Sequence, residues 1–93
     1  MNSVGTGITA QALEACLRER LAAGPVEVLD ESAAHLGHAG QDGTGVGTHF
    51  RVRIASPMFA GKGKVACHRL VYDALRDYIQ RERGIHALAI ELL

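Results

Sequence analysis

Histidine and cysteine are the residues here best suited to chemistry, and there are five of one and two of the other in 93 residues. His35 and His38 stand three apart in a glycine-rich stretch. Neutral imidazoles so spaced can ligate a metal, yet a pattern this loose is equally that of a solvated loop pair. His86 follows Gly84 where an apolar alternation begins, so its ring is expected at the rim of a sheet, within reach of a partner. His68 shares a helical stripe with Val71 and Leu75 and reads as a packed, hydrogen-bonded structural residue rather than a ligand. Cys67 lies near the start of the same helix, where the thiolate is favoured, which makes it a candidate for oxidation or adventitious metal binding. Cys16 reads as a small hydrophobe on the first helix.

A second set is cationic. Arg51, Arg53, Lys62, Lys64 and Arg69 would form a local basic patch if the second strand and the glycine-lysine hinge lay side by side. Globally the charges cancel, ten basic against ten acidic, so no overall field draws the chain to nucleic acid or an anionic membrane. With two Phe, two Tyr and no Trp, platforms for stacking bases are scarce. Catalytic signatures are missing: there is no G-x-S-x-G, P-loop, H-E-x-x-H or C-x-x-C, and Asp30 and Glu31 are neighbours that would face opposite sides of a strand. A non-enzyme is expected.

These side chains must be positioned by one small domain, since 93 residues with 47% hydrophobic content are too few for two. Two cysteines are far from a disulfide scaffold, no apolar run is long enough to span a bilayer, and residues 1–7 carry no secretory pattern, so a cytoplasmic setting is expected. Residues 1–7 read as a frayed tail, with the domain over 8–93. Thr9 is placed to cap a helix carrying Leu13, Cys16, Leu17 and Leu21 on one face, which Gly24 and Pro25 end. Residues 26–30 read as a short strand and 31–48 as a long glycine-bearing loop. Residues 48–54 alternate, with Phe50, Val52 and Ile54 on one face and His49, Arg51 and Arg53 on the other. Ser56 and Pro57 begin a single helical turn, residues 65–83 a second long helix capped by Gly84, and residues 85–93 a last strand. Two consecutive strands and a right-handed helical crossover predict an α+β fold of order α-β-β-α-α-β, a three-stranded mixed sheet with the helices on one face.

Five blocks in this order resemble the BolA family: V-E-V-L-D-E-S at 26–32, T-H-F-R-V-R-I at 48–54, F-A-G-K at 59–62, H-R-L-V-Y at 68–72 and H-A-L-A-I at 86–90. The resemblance implies a BolA-like domain over 8–93 with a class II KH-like fold. It further implies an adaptor that pairs with a monothiol glutaredoxin and shares a bridging two-iron two-sulfur cluster, with glutathione, for cluster assembly, delivery or iron sensing. In that family the glutaredoxin side brings two thiolates. The other side brings a histidine near the last strand and a histidine or cysteine from the loop between the first two strands. Those positions fall on His86 and on His35 or His38, between which the resemblance does not choose. No cofactor is expected in the isolated chain, which would be a monomer or weak homodimer. Some bacterial relatives are described as transcriptional regulators in stress responses, so the alternative is a DNA-binding regulator using the basic set. Gly61-Lys62-Gly63-Lys64 does not match the G-x-x-G clamp of KH modules, and Cys67 stands where the family usually carries Arg or Lys, which weakens that alternative.

Overall fold

Two spacings of apolar residues, every fourth and every second, set the layers of the molecule. The computed structural model describes residues 6–32 and 47–93. The order is α1 (Ala10–Leu21), β1 (Val26–Asp30), β2 (His49–Ile54), one 3-10 turn (Pro57–Phe59), α2 (Lys64–Ala74), α3 (Arg76–Gln80) and β3 (Ala87–Leu92).

Thr9 opens α1: its hydroxyl accepts the Ala12 N–H at 3.1 Å, satisfying one of the donors that a helix start leaves unpaired. Leu13, Leu17 and Leu21 then recur on one face and are buried. At the other end Ala22 turns left-handed (φ 49°), and the Ser56 hydroxyl donates to the Leu21 carbonyl, an acceptor the helix would otherwise leave free. Ser56 also accepts the Met58 N–H at 3.0 Å, so one side chain ends α1 and starts the 3-10 turn.

The sheet has the order β1-β2-β3, with β1 and β2 antiparallel and β2 and β3 parallel. Its register stacks three apolar rows toward the helices: Val26, Ile54 and Leu92; Val28, Val52 and Ile90; then Phe50 and Leu88 beside Asp30. Phe50, Val52 and Ile54 meet Leu13, Leu17, Val71 and Leu75 in the core. A fully buried side chain of this size stabilises by about 1.5–3 kcal/mol relative to exposure, so this middle strand and α1 carry most of the driving force.

Several boundaries depart from the sequence reading. Residues 65–83 do not form one helix: α2 ends at Ala74 and α3 starts at Arg76, and at Leu75 between them the backbone tightens into a 3-10-type turn, with the Tyr78 N–H bonded to the Leu75 carbonyl at 2.9 Å. The Cys16 thiol donates to the Ala74 carbonyl at 3.3 Å, so Cys16 has a polar partner at the break as well as a packing role. Val71 and Leu75 are buried as expected, but the stripe begins at Cys67, which is buried, and His68 is only half-buried. The His68 Nε2 has no hydrogen-bond partner among the described residues, contrary to the hydrogen-bonded histidine expected there. Gly84 does not cap a helix, since α2 ends at Ala74 and α3 at Gln80. It is required by close approach, since a Cβ there would lie 2.5 Å from the Tyr78 carbonyl oxygen and 2.7 Å from that of Ile79. Packing also begins ahead of Ile8, because the Thr6 hydroxyl donates to the Gly47 carbonyl at 2.6 Å. No helix among the described residues is long and apolar enough to cross a membrane.

Candidate functional site

Pairing β2 antiparallel to β1 and parallel to β3 brings three strand ends together: the end of β1 and the starts of β2 and β3. The two ends of the 31–48 connection and His86 therefore meet at one end of the sheet. A hydrogen-bonded knot ties them there. Asp30 Oδ1 accepts the backbone N–H of Ser32 at 2.9 Å and its hydroxyl at 2.6 Å, while Oδ2 accepts the Gly47 N–H at 3.0 Å. Having donated to Asp30, the Ser32 hydroxyl accepts the N–H groups of Thr48 at 2.8 Å and His49 at 3.0 Å. Ser32 and Thr48 are completely buried, so these bonds satisfy groups that would be costly to leave unpaired. Gly47 suits this corner for two reasons: its φ is +76°, and a Cβ would run into the Thr6 hydroxyl and the Ile8 carbonyl.

Thr48 is the hub. Its carbonyl accepts the N–H of His86 at 2.8 Å and that of Ala87 at 3.2 Å, and its hydroxyl lies 2.9 Å from Nδ1 of His49. The base of the loop and the backbone of His86 are thus held by one residue. His49 is buried and His86 exposed, and their rings meet edge-on with centroids 6.1 Å apart and planes at 81°. A cleft of about 100 Å³ lined by Tyr72, Ile79, Ile85, His86, Ala87 and Leu88 runs beside His86, and the Tyr72 hydroxyl donates to the Leu88 carbonyl at 3.3 Å. A space this small holds no sizeable ligand, but it leaves one side of the imidazole open.

The face of the sheet away from the helices is charged. Glu27, Arg53 and Glu91 occupy one cross-strand row, and Arg51 sits in the next. Arg51 contacts Glu31 at 2.9 Å and Glu91 at 2.7 Å, and Arg53 contacts Glu91 at 3.1 Å and Glu27 at 3.5 Å. The hydrogen bond from Arg51, with the positive charge of both arginines, holds the Glu91 carboxyl below its ordinary range. The bonds to Glu31 and Glu91 push the Arg51 guanidinium above its own.

This ladder corrects the basic patch. Arg51 and Arg53 are neutralised by three glutamates, while Lys64 and Arg69 belong to α2 on the other side of the sheet and Lys62 to the connection leading into it. Those three are exposed and make no ion pair among the described residues, but they are not joined to the arginines in one surface. Cys67 is corrected too: it is 3% exposed, with its sulfur 3.8 Å from the carbonyls of Phe59 and Lys62, so it packs in the core instead of presenting a thiol. His86 is exposed at the start of β3, as its position in the sequence implied. His35 and His38 lie outside the described residues. The described residues bring no three His, Cys, Asp or Glu side chains together around a single point.

The sequence reading passed over Ser32, Thr48 and His49. Their signal was short polar side chains at both ends of a long connection, residues that habitually bond to nearby backbone.

The comparisons with known proteins agree with this architecture. The structure of the BolA domain of SufE1 from Arabidopsis thaliana superposes with a TM-score of 0.74 at 38% identity, covering 89% of this chain and 87% of that one. The family model described as BolA-like protein matches residues 17–93. An uncharacterised Sinorhizobium protein from the cobS 5' region is 48% identical over 80 residues, 85% of this chain and 77% of that protein. The chloroplastic protein BOLA1 of Arabidopsis thaliana is 48% identical over 69 residues, 71% of this chain but 42% of its own length. The fold is the small α+β domain of these proteins, and the chain belongs to the BolA family.

Proposed function

We propose that this chain is a non-catalytic adaptor that binds a monothiol glutaredoxin and donates histidine ligands to a bridging two-iron two-sulfur cluster, the cargo of the pair. One observation carries the reading: His86 is exposed, and its backbone is bonded to Thr48, the last residue of the 31–48 stretch in whose sequence His35 and His38 fall. An exposed imidazole beside the anchored ends of that stretch suits a shared site, in which a partner completes the ligand set. The occurrence of a BolA domain in a SufE-like protein of Arabidopsis thaliana is in keeping with an iron–sulfur role. In this reading His86 supplies one ligand and His35 or His38 the other, and the Asp30–Ser32–Thr48 knot keeps the root of the loop beside His86. Glutathione and the glutaredoxin thiolate supply the remaining ligands.

The test is anaerobic reconstitution of the wild type and His86→Ala with a monothiol glutaredoxin, glutathione, iron and sulfide, followed by visible circular dichroism. The expected result is a heterodimer spectrum distinct from that of the glutaredoxin homodimer and altered or lost in the variant. A glutaredoxin that assembles its own cluster yet forms no complex with this chain overturns the reading.

A further inference from the structure

His49 has no part in the ligation proposed above, yet it is the side chain against which the His86 ring rests. It is 8% exposed, its N–H is bonded to the buried Ser32 hydroxyl, and its Nδ1 lies 2.9 Å from the buried Thr48 hydroxyl. A ring held at its backbone and at a ring nitrogen is a fixed wall. His86, by contrast, is exposed, and its backbone bond to Thr48 leaves the two side-chain torsions free. The edge-on contact, with centroids 6.1 Å apart and planes at 81°, is the favoured geometry of an aromatic pair.

We infer that His49 is a positioning residue: its ring edge restricts the His86 imidazole to one direction, so that a ligand nitrogen is presented to the partner already oriented. The inference rests on the proposed ligation for its consequence and on the isolated chain for its geometry. Ligands oriented by fixed neighbours bind metal more tightly than freely turning ones, and loss of such a neighbour typically costs about 10–100-fold.

The test uses the full chain without metal and then its reconstituted complex. Side-chain couplings and ring-to-ring nuclear Overhauser effects measure the rotamer distribution of His86 in the wild type, His49→Ala, His49→Phe and His49→Leu. One dominant rotamer is expected in the wild type, averaging in His49→Ala, and return to one rotamer in His49→Phe, which restores the ring edge without a ligand nitrogen. In the complex, the half-life of the cluster against a chelator should fall about tenfold in His49→Ala and stay within about twofold of wild type in His49→Phe. A folded His49→Ala chain with the wild-type His86 rotamer distribution overturns the inference. Should His49→Ala not fold, His49→Leu decides, because it fills much of the same space without an aromatic ring edge. Averaging of His86 in that variant supports the inference, and an unchanged rotamer overturns it. If the wild type assembles no cluster with a competent glutaredoxin, the proposed function falls, while the rotamers of the metal-free chain still decide the role of His49.

Discussion

At the loop end of the sheet, Ser32, Thr48 and His49 are buried and joined by hydrogen bonds to the exposed Asp30 carboxylate. On the open face, Glu27, Glu31, Arg51, Arg53 and Glu91 are at least partly wet and joined by ion pairs. Both constellations cross from strand to strand, but they differ in what is lost when a member is removed. In the knot, a deleted partner leaves backbone N–H groups with neither protein nor water to bond, and the whole desolvation cost remains. In the ladder, water replaces a missing partner, salt screens what remains, and little stability is at stake. The knot therefore acts on geometry, setting where the loop and His86 meet. The ladder acts on surface character, removing two arginines from the basic set.

The largest expected break of this contrast is Ser32→Ala. It orphans the buried N–H groups of Thr48 and His49, and urea unfolding should show a loss of about 3 kcal/mol. A loss no larger than that of an exposed serine would mean that the loop base tolerates water and that the contrast is misdrawn.

A smaller, pH-dependent effect belongs to the ladder. Because the Glu91 carboxyl titrates below its ordinary value in the fold, its pairing stabilises at neutral pH, where the carboxyl is charged in both states. That contribution is lost as pH falls through the ordinary carboxylate range to the lowered one. The raised Arg51 value has no consequence at accessible pH, since the guanidinium stays charged in the folded and unfolded chain. Melting temperatures should thus converge for wild type and Glu91→Gln on acidification to about pH 3, and also on addition of salt at neutral pH. A difference that persists under acid contradicts the assignment of the shift to the ion pairs.

Least of all should change on reversing charge in the ladder and reading DNA binding. Retention of labelled duplex by the chain is expected to be weak, and Arg53→Glu should leave it unaltered, because Arg53 is already engaged by Glu27 and Glu91. A steeply salt-dependent affinity abolished by that variant would restore the regulator reading.

Much of the frame was legible in the residues themselves. Thr9 as a cap, Ser56 before Pro57, the leucines of α1 and the alternation of Phe50, Val52 and Ile54 all express preferences settled within one turn or one strand. The mixed sheet followed from the handedness of the crossover. The head of the stripe on the second helix was less secure, since Cys67 at i−4 and His68 at i−3 both fit ahead of Val71. The break at Leu75 carries no proline or glycine and could not be read from local pattern.

What the amino-acid sequence determined by itself was therefore the order of strands and helices apart from the break at Leu75, the side of each strand that is apolar, and the exposed place of His86 at a strand start. Tertiary structure decided the partnerships: His49 against His86, Ser32 beneath Thr48, and Glu27 and Glu91 on either side of Arg53. The physical reason is range. Capping and alternation are satisfied by near neighbours in the chain, whereas a cross-strand contact exists only after register has been chosen, and register is chosen by the burial of the opposite face.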